Sequence, residues 1–200
     1  MKVLGLTGSV GMGKSTAAAA LRRMGIPVHD ADREVHRLLG PGGGALAPVA
    51  AAFPGVIRNG SVDRQELGRR VFSDALGLAR LEAILHPLVR AAEGRFLARC
   101  RRQRRRLAVL DIPLLLETGA AGRCDAVFVV SAPRRVQLAR VLGRPGMTEA
   151  RLRGVEARQM PDGEKRRLAD VVIPTGLGRR FSLDRLRRAV RRLANGPADA

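Results

Sequence analysis

An α/β fold built on a parallel sheet is predicted by three observations. Five short apolar runs recur along the 200-residue chain, each short enough to be a buried strand. Helix-forming stretches separate them. The first 30 residues read strand, helix, strand, the spacing of a βαβ unit, whose two strands must run parallel.

Taken in order, Val3 to Leu6 is the first apolar run, bounded by glycine. Residues 15–24 are strong helix formers and Gly25 ends them. Ile26-Pro27-Val28 reads as the second strand, with Asp30-Ala31-Asp32 at its end. Residues 40–60 are rich in Gly, Pro and Ala, and Pro41 to Gly44 is the clearest breaker. From Asp63 to Arg99, Leu67, Val71, Leu78, Leu81, Leu85 and Leu88 recur at helical spacing, with Pro87 as a break or a helix start. This predicts a helical insertion between strands two and three. Leu107 to Leu110, ending in Asp111, is the third strand, and Ala126 to Val130 the fourth. Residues 134–143 suit a helix, and 144–168 are polar with Pro-Gly breakers. Val171 to Ile173 is the fifth strand. Residues 182–194 form a basic amphipathic helix, and 196–200 are expected to fray.

Composition narrows the class. At 46% hydrophobic and 28% charged residues the chain is expected to be globular. Its length allows about 70% of the unfolded surface to be buried. No apolar run approaches the ~20 residues of a membrane span, and the N-terminal apolar stretch is too short for a signal peptide. Cys100 and Cys124 make neither a disulfide framework nor a metal cluster, and both are expected to be reduced thiols of a cytoplasmic protein. The formal net charge is +19, and because Lys2, Lys14 and Lys165 are the three lysines, 34 of the 37 cations are arginine. Such a balance favours polyanionic partners, either phosphorylated small molecules or nucleic acid. With no Trp, no Tyr and five Phe there is little to stack bases. Most of the arginine therefore reads as solvated surface, and the six arginines of residues 99–106 as a basic helix end.

The chemistry concentrates in residues 8–15, G-S-V-G-M-G-K-S, which fit G-x-x-x-x-G-K-[ST]. Glycines let successive N–H groups converge on phosphate oxygens, and the following helix points its positive end at the same anion. Gly8, Gly11, Met12, Gly13, Lys14, Ser15 and Thr16 are thus the candidate triphosphate cradle. Lys14 serves the β- and γ-phosphates and Ser15 a Mg²⁺ ion. Asp30 and Asp32 either cap the helix beginning near Arg33 or serve an acceptor hydroxyl, with Asp32 the better candidate base. Asp111 ends a strand of Walker B form and is a candidate Mg²⁺ ligand, directly or through water. Glu117 is a second polar group nearby. His86 precedes Pro87, and a lone histidine is more often a packing or capping residue. Arg140 and Arg144 lie one helical turn apart, where a guanidinium can face transferring phosphate or simply solvent. The polar stretch after them reads as a candidate lid.

Assembled in order, G-L-T-G-S-V-G-M-G-K-S-T (5–16), D-A-D (30–32), L-H-P (85–87), D-I-P-L-L-L-E (111–117), G-M-T (146–148), Q-M-P-D-G-E-K-R (159–166) and A-D-V-V-I (169–173) resemble the dephospho-CoA kinase family. The resemblance spans about residues 3–176. It implies a P-loop kinase fold: a five-stranded parallel sheet flanked by helices, with core segments 1–32, 107–143 and 169–195. A helical CoA-binding insertion would occupy about 33–100 and a lid about 144–168. ATP would be the co-substrate with Mg²⁺, and dephospho-CoA the acceptor, phosphorylated on its ribose 3′-hydroxyl. By position Asp32 matches the family's proposed base, Asp30 and His86 fall in its acceptor region, and Arg140 matches a lid-side arginine near the phosphates. No specific nucleic acid and no membrane are implied, and a monomer or weak homo-oligomer is expected. The alternatives are another small-molecule or nucleotide kinase on this fold and a nucleotide-regulated nucleic-acid-binding protein. Two departures stand out. Ser9 occupies a place that is often glycine in the family. Pro174-Thr175-Gly176 replaces an Asp-Asn-Gly that lies near adenine there, and Pro174 removes a backbone donor. Adenine would then pack on arginine and aliphatic surface.

Overall fold

The computed structural model describes residues 1–72 and 74–195; the end expected to fray lies outside them. The chain divides into two compact units, Met1–His29 with Cys100–Ala200, and Asp30–Arg99.

The first unit is a five-stranded sheet. Its strands are β1 (Lys2–Thr7), β2 (Val28–Asp30), and β5 (Leu107–Asp111), β6 (Ala126–Ser131) and β7 (Val171–Pro174) after the second unit's two-stranded hairpin. Their spatial order is β2-β5-β1-β6-β7. β1 pairs in parallel with β5 on one side and β6 on the other, and β6 with β7. Parallel strands covered on both faces need apolar residues at every position, and β5 and β6 are buried throughout. The period of two still sorts the faces: Phe128 and Val130 join the cluster of Leu4, Leu6, Leu21, Val109 and Leu186, while Val127 and Val129 join Leu115 and Ala120. The first cluster is closed by α1 (Lys14–Arg23), which buries Ala17, Ala18, Ala20 and Leu21. It is also closed by α9 (Arg179–Asn195), which buries Leu186 and Val190. α6 (Arg134–Leu142) follows β6, and α7 (Glu149–Glu156) and α8 (Asp162–Leu168) occupy the stretch read as polar and breaker-rich. Thr148 starts α7 as its cap, accepting the Arg151 N–H.

The second unit contains α2 (Ala31–Leu39), α3 (Leu46–Ala52), the antiparallel pair β3 (Ile57–Arg58) and β4 (Ser61–Val62), α4 (Arg64–Phe72) and all but the last three residues of α5 (Ala75–Arg102). Leu38, Leu39, Val49, Phe53, Val56, Val62, Leu67, Val71, Leu81 and Leu85 form its core. On α4, Glu66 receives Arg69 and Arg70, which hold its carboxyl down to about 2, the Arg69 hydrogen bond contributing most. A depressed carboxylate favours the folded state above its unfolded value near ~4.3, and that contribution disappears as pH falls through about 2. Arg69→Ala is expected to move this titration upward in a ¹³C NMR pH series; an unmoved Glu66 would contradict the pairing.

Two expectations are corrected. The second strand is Val28–Asp30 rather than residues 26–28, because Pro27 has no N–H for a ladder and contributes only its carbonyl, which accepts the Val109 N–H at 2.9 Å. Pro87 neither breaks nor starts a helix but lies inside the 28-residue α5. Leu81 and Leu85 before it, and Ala92 and Phe96 after it, are all buried, so packing holds the helix across the lost donor. Residues 40–60, read from the sequence as a breaker with no element, hold α3 and the first strand of the hairpin, β3.

Candidate active site

The carboxyl ends of parallel strands converge at one sheet edge, the place where such folds bind ligands. β1 runs into Gly8–Gly13, and α1 begins at Lys14. Gly8 has no room for a side chain, since a Cβ there would lie 2.4 Å from Val130 Cγ2. This close approach seats the loop on β6. The Thr7 hydroxyl donates to the Pro113 carbonyl at 2.9 Å, tying the loop's base to the segment after β5.

Lys14 Nζ lies 2.7 Å from Asp111 Oδ1, with the carboxylate almost fully buried at 3% side-chain exposure. The start of α1 and the end of β5, far apart in sequence, are thereby joined, and the ammonium is held at the mouth of the loop. Ser15 and Thr16 are exposed on the first turn of α1. With Ala19, Arg23 and Arg179 they line an open cleft of about 340 Å³. Met12 is buried, and its carbonyl accepts the Thr175 hydroxyl at 2.7 Å. Gly13, at the helix start, is left-handed.

Arg140 reaches the same edge. Its guanidinium donates to the Thr175 carbonyl at 2.6 Å and the Thr175 hydroxyl at 3.0 Å, and contacts the Gly11 carbonyl at 3.4 Å. Thr175, which stands in the segment that departs from the family pattern, thus links β7, the loop and Arg140. The Pro174 carbonyl accepts the Ser182 hydroxyl at 2.8 Å.

The segment from α7 to α8 is fastened to this edge at several points. Arg134 pairs with Glu156, whose carboxylate holds the guanidinium further above its ordinary pKa. Gln159 accepts the Val10 N–H, Glu117 accepts the Met160 N–H, and Ser131 donates to Asp162 at 2.7 Å. Lys165, with no exposed side-chain surface, lies 2.7 Å from Glu117 Oε1.

Of the residues singled out by sequence, Gly8, Gly11, Met12, Gly13, Lys14, Ser15, Thr16, Asp111 and Arg140 belong to the first unit, where Lys14 meets Asp111 and Arg140 meets Gly11. Asp30, Asp32 and His86 belong to the second. Asp30 is the N-cap of α2 and accepts the Arg33 N–H at 3.0 Å, so capping is one of its roles. Asp32 is exposed on the first turn of α2, and His86 is exposed on α5. Gln137 is not singled out by sequence, and Gln159 and Thr175 appear there only within motif segments, without roles of their own. Their signal is spatial: Gln137 is a buried polar residue that donates to the carbonyl of Val10, 127 positions away.

The sequence model of the dephospho-CoA kinase family matches residues 2–177. A dephospho-CoA kinase of Paramagnetospirillum magneticum is 68% identical over 166 residues, 83% of this chain and 78% of the relative. One from Mesorhizobium japonicum is 59% identical over 89% of each chain. Among solved structures, a protein of Thermus thermophilus superposes with a TM-score of 0.85 at 37% identity, covering 95% of this chain and 96% of its own. The fold of a Campylobacter jejuni dephospho-CoA kinase also matches, with a TM-score of 0.73 at 22% identity over 98% of both chains. Loop, buried carboxylate and lengthwise similarity agree, and the chain belongs to the dephospho-CoA kinase family.

Proposed function

We propose that the chain transfers the γ-phosphoryl group of ATP to the ribose 3′-hydroxyl of dephospho-CoA, giving CoA and ADP. The observation that carries this reading is the intact phosphate loop, with Lys14 poised on the buried Asp111, in a chain matched by the family over residues 2–177. In the transfer, a bond forms between the 3′-oxygen and the γ-phosphorus, and the bond from that phosphorus to the β–γ bridging oxygen breaks. The hydroxyl proton passes to Asp32. Loop amides and Lys14 hold the β- and γ-phosphates in line, so catalysis is positioning and electrostatic stabilisation more than covalent chemistry. Asp30 and His86 serve the acceptor. Arg140 offsets charge on the transferring group.

Ser15 and Asp111 suit Mg²⁺, because a hard cation takes oxygen donors and needs only one or two protein ligands beside substrate phosphates and water. The exposed hydroxyl and the strand-end carboxylate supply that donor set. Bound with ATP, the ion would neutralise charge on the phosphate oxygens.

Incubation with ATP, Mg²⁺ and dephospho-CoA tests the activity by mass, with one added phosphoryl group expected on the acceptor and none with CoA itself. For the base, Asp32→Asn is expected to lower kcat by about 10³-fold, within the range of general-base catalysis. Because the side chain is exposed, the melting temperature is expected to stay near that of the parent. Turnover within a factor of about three of the parent would remove Asp32 from this role.

A further inference from the structure

Residues Ser9 to Met12 make a tight turn, closed by the Met12 N–H donating to the Ser9 carbonyl at 3.1 Å. Val10 has negative φ, whereas Gly11 is left-handed at 77°. That combination is the signature of a type II turn. Type I and type II turns differ by rotation of the central peptide, here the one joining Val10 to Gly11. Because this peptide is planar and trans, turning its carbonyl over also turns the Gly11 N–H over. In a loop whose work is to aim N–H groups at phosphate, the flip state of one peptide is a functional variable.

Two side chains grip Val10 from outside the loop. Gln137 Nε2, from α6, donates to the Val10 carbonyl at 2.9 Å. Gln159 Oε1, between α7 and α8, accepts the Val10 N–H at 3.1 Å. Neither grip is loose. Gln137 is 3% exposed, Arg134 donates to its oxygen at 2.7 Å, and its Nε2 also reaches Glu156 at 3.1 Å. Gln159 is flanked by anchored residues, with Glu156 on Arg134 before it and Met160 on Glu117 after it.

We propose that Gln137 and Gln159 are positioning residues that lock the two peptides flanking Val10, Gln137 the Val10–Gly11 peptide through its carbonyl and Gln159 the Ser9–Val10 peptide through its N–H, and so keep the turn in its type II form and fix the direction of the Gly11 N–H. A reversed peptide would lose the Gln137 bond and leave one N–H of that buried amide without its acceptor, so the lock makes the competing turn costly. The Gln137 bond connects the loop to α6, and the Gln159 bond connects it to the segment between α7 and α8. The state of that segment therefore bears on how the loop presents its donors.

The experiment uses Gln159→Met, at a half-buried position where a similar length is kept, together with Gln137→Met and the double variant. In each, turnover with ATP and dephospho-CoA is measured beside the melting temperature and the ¹⁵N relaxation dispersion of Gly11. The rate readout rests on the kinase reading above; the relaxation readout does not. Expected in Gln159→Met are a kcat lower by about tenfold or more, since small misplacements at a phosphoryl site are costly, and a dephospho-CoA KM within about twofold of the parent. Millisecond exchange at Gly11, absent from the parent, is expected as well. The double variant is expected to be little worse than the poorer single, because both substitutions free the same residue, Val10, at the centre of one turn. Unchanged Gly11 relaxation in Gln159→Met would overturn the lock. So would losses of kcat that multiply in the double variant, or that appear only in step with melting. A parent inert toward dephospho-CoA would overturn the kinase reading alone, and the Gly11 amide would still decide the lock.

Discussion

Lys14→Ala is expected to lower turnover with ATP and dephospho-CoA by about 10³-fold, the scale of losing one preorganised group that faces developing charge. Lys14 Nζ is the cation at the head of the loop, 2.7 Å from Asp111 Oδ1. Arrival of a triphosphate gives that ammonium a second, more highly charged anion to face. Removing it leaves the phosphates without their mobile cation and leaves Asp111, at 3% side-chain exposure, without this partner. Taking one partner from a buried charge is itself destabilising, so a lower melting temperature is expected beside the kinetic loss. The double variant Lys14→Ala, Asp111→Asn separates the two effects. It is expected to recover most of the melting temperature and none of the activity. Coupled ADP release and a thermal melt read both quantities. Turnover within about tenfold of the parent would show that Lys14 does not serve the γ-phosphate here.

Much of this site could be read from the chain alone, because its parts are local. A loop of eight consecutive residues, the strand before it and the helix after it need no long-range information. The strands also announce themselves, since a strand buried on both faces must be apolar throughout. What escaped was set by tertiary contact or by signals that pointed two ways. In residues 40–60, Gly and Pro drew attention from L-A-P-V-A-A-A, which folds as α3 once Val49 is buried. Asn59-Gly60 in the same stretch is a two-residue hairpin signal, and both residues adopt positive φ between β3 and β4. The Gln137 and Gln159 grips on Val10 join residues 127 and 149 positions apart, and no periodicity encodes such a pairing. Arg140 shows the intermediate case. Its helix and its face were legible, but its hold on Thr175 depends on where β7 ends.

Lys165 is where sequence composition misleads most, and where the largest effect on stability is expected. In a chain this basic, a lysine beside Arg166 and Arg167 reads as surface, yet Lys165 has no exposed side-chain surface and lies 2.7 Å from Glu117 Oε1. Glu117 is also the acceptor of the Met160 N–H at 2.9 Å. The pair therefore fastens α8 and the turn before it to the segment after β5. Burying two charges costs so much desolvation that a pair gains little over a well-packed apolar substitute, whereas removing one member leaves the other stranded. Lys165→Met is accordingly expected to destabilise the protein by about 3–5 kcal/mol, or about 10 °C in melting temperature for a chain of this size. Adding Glu117→Leu to it is expected to return a large part of that loss, giving a coupling energy far above the few tenths that independent sites show. Because Gln159 sits between the anchored Glu156 and Met160, Lys165→Met is also expected to loosen its hold on Val10 and lower turnover further than the melt alone accounts for. Chemical denaturation of the parent, both single variants and the double closes the cycle. Additive losses would mean that the two side chains are stabilised separately and that the ion pair does not hold α8 in place.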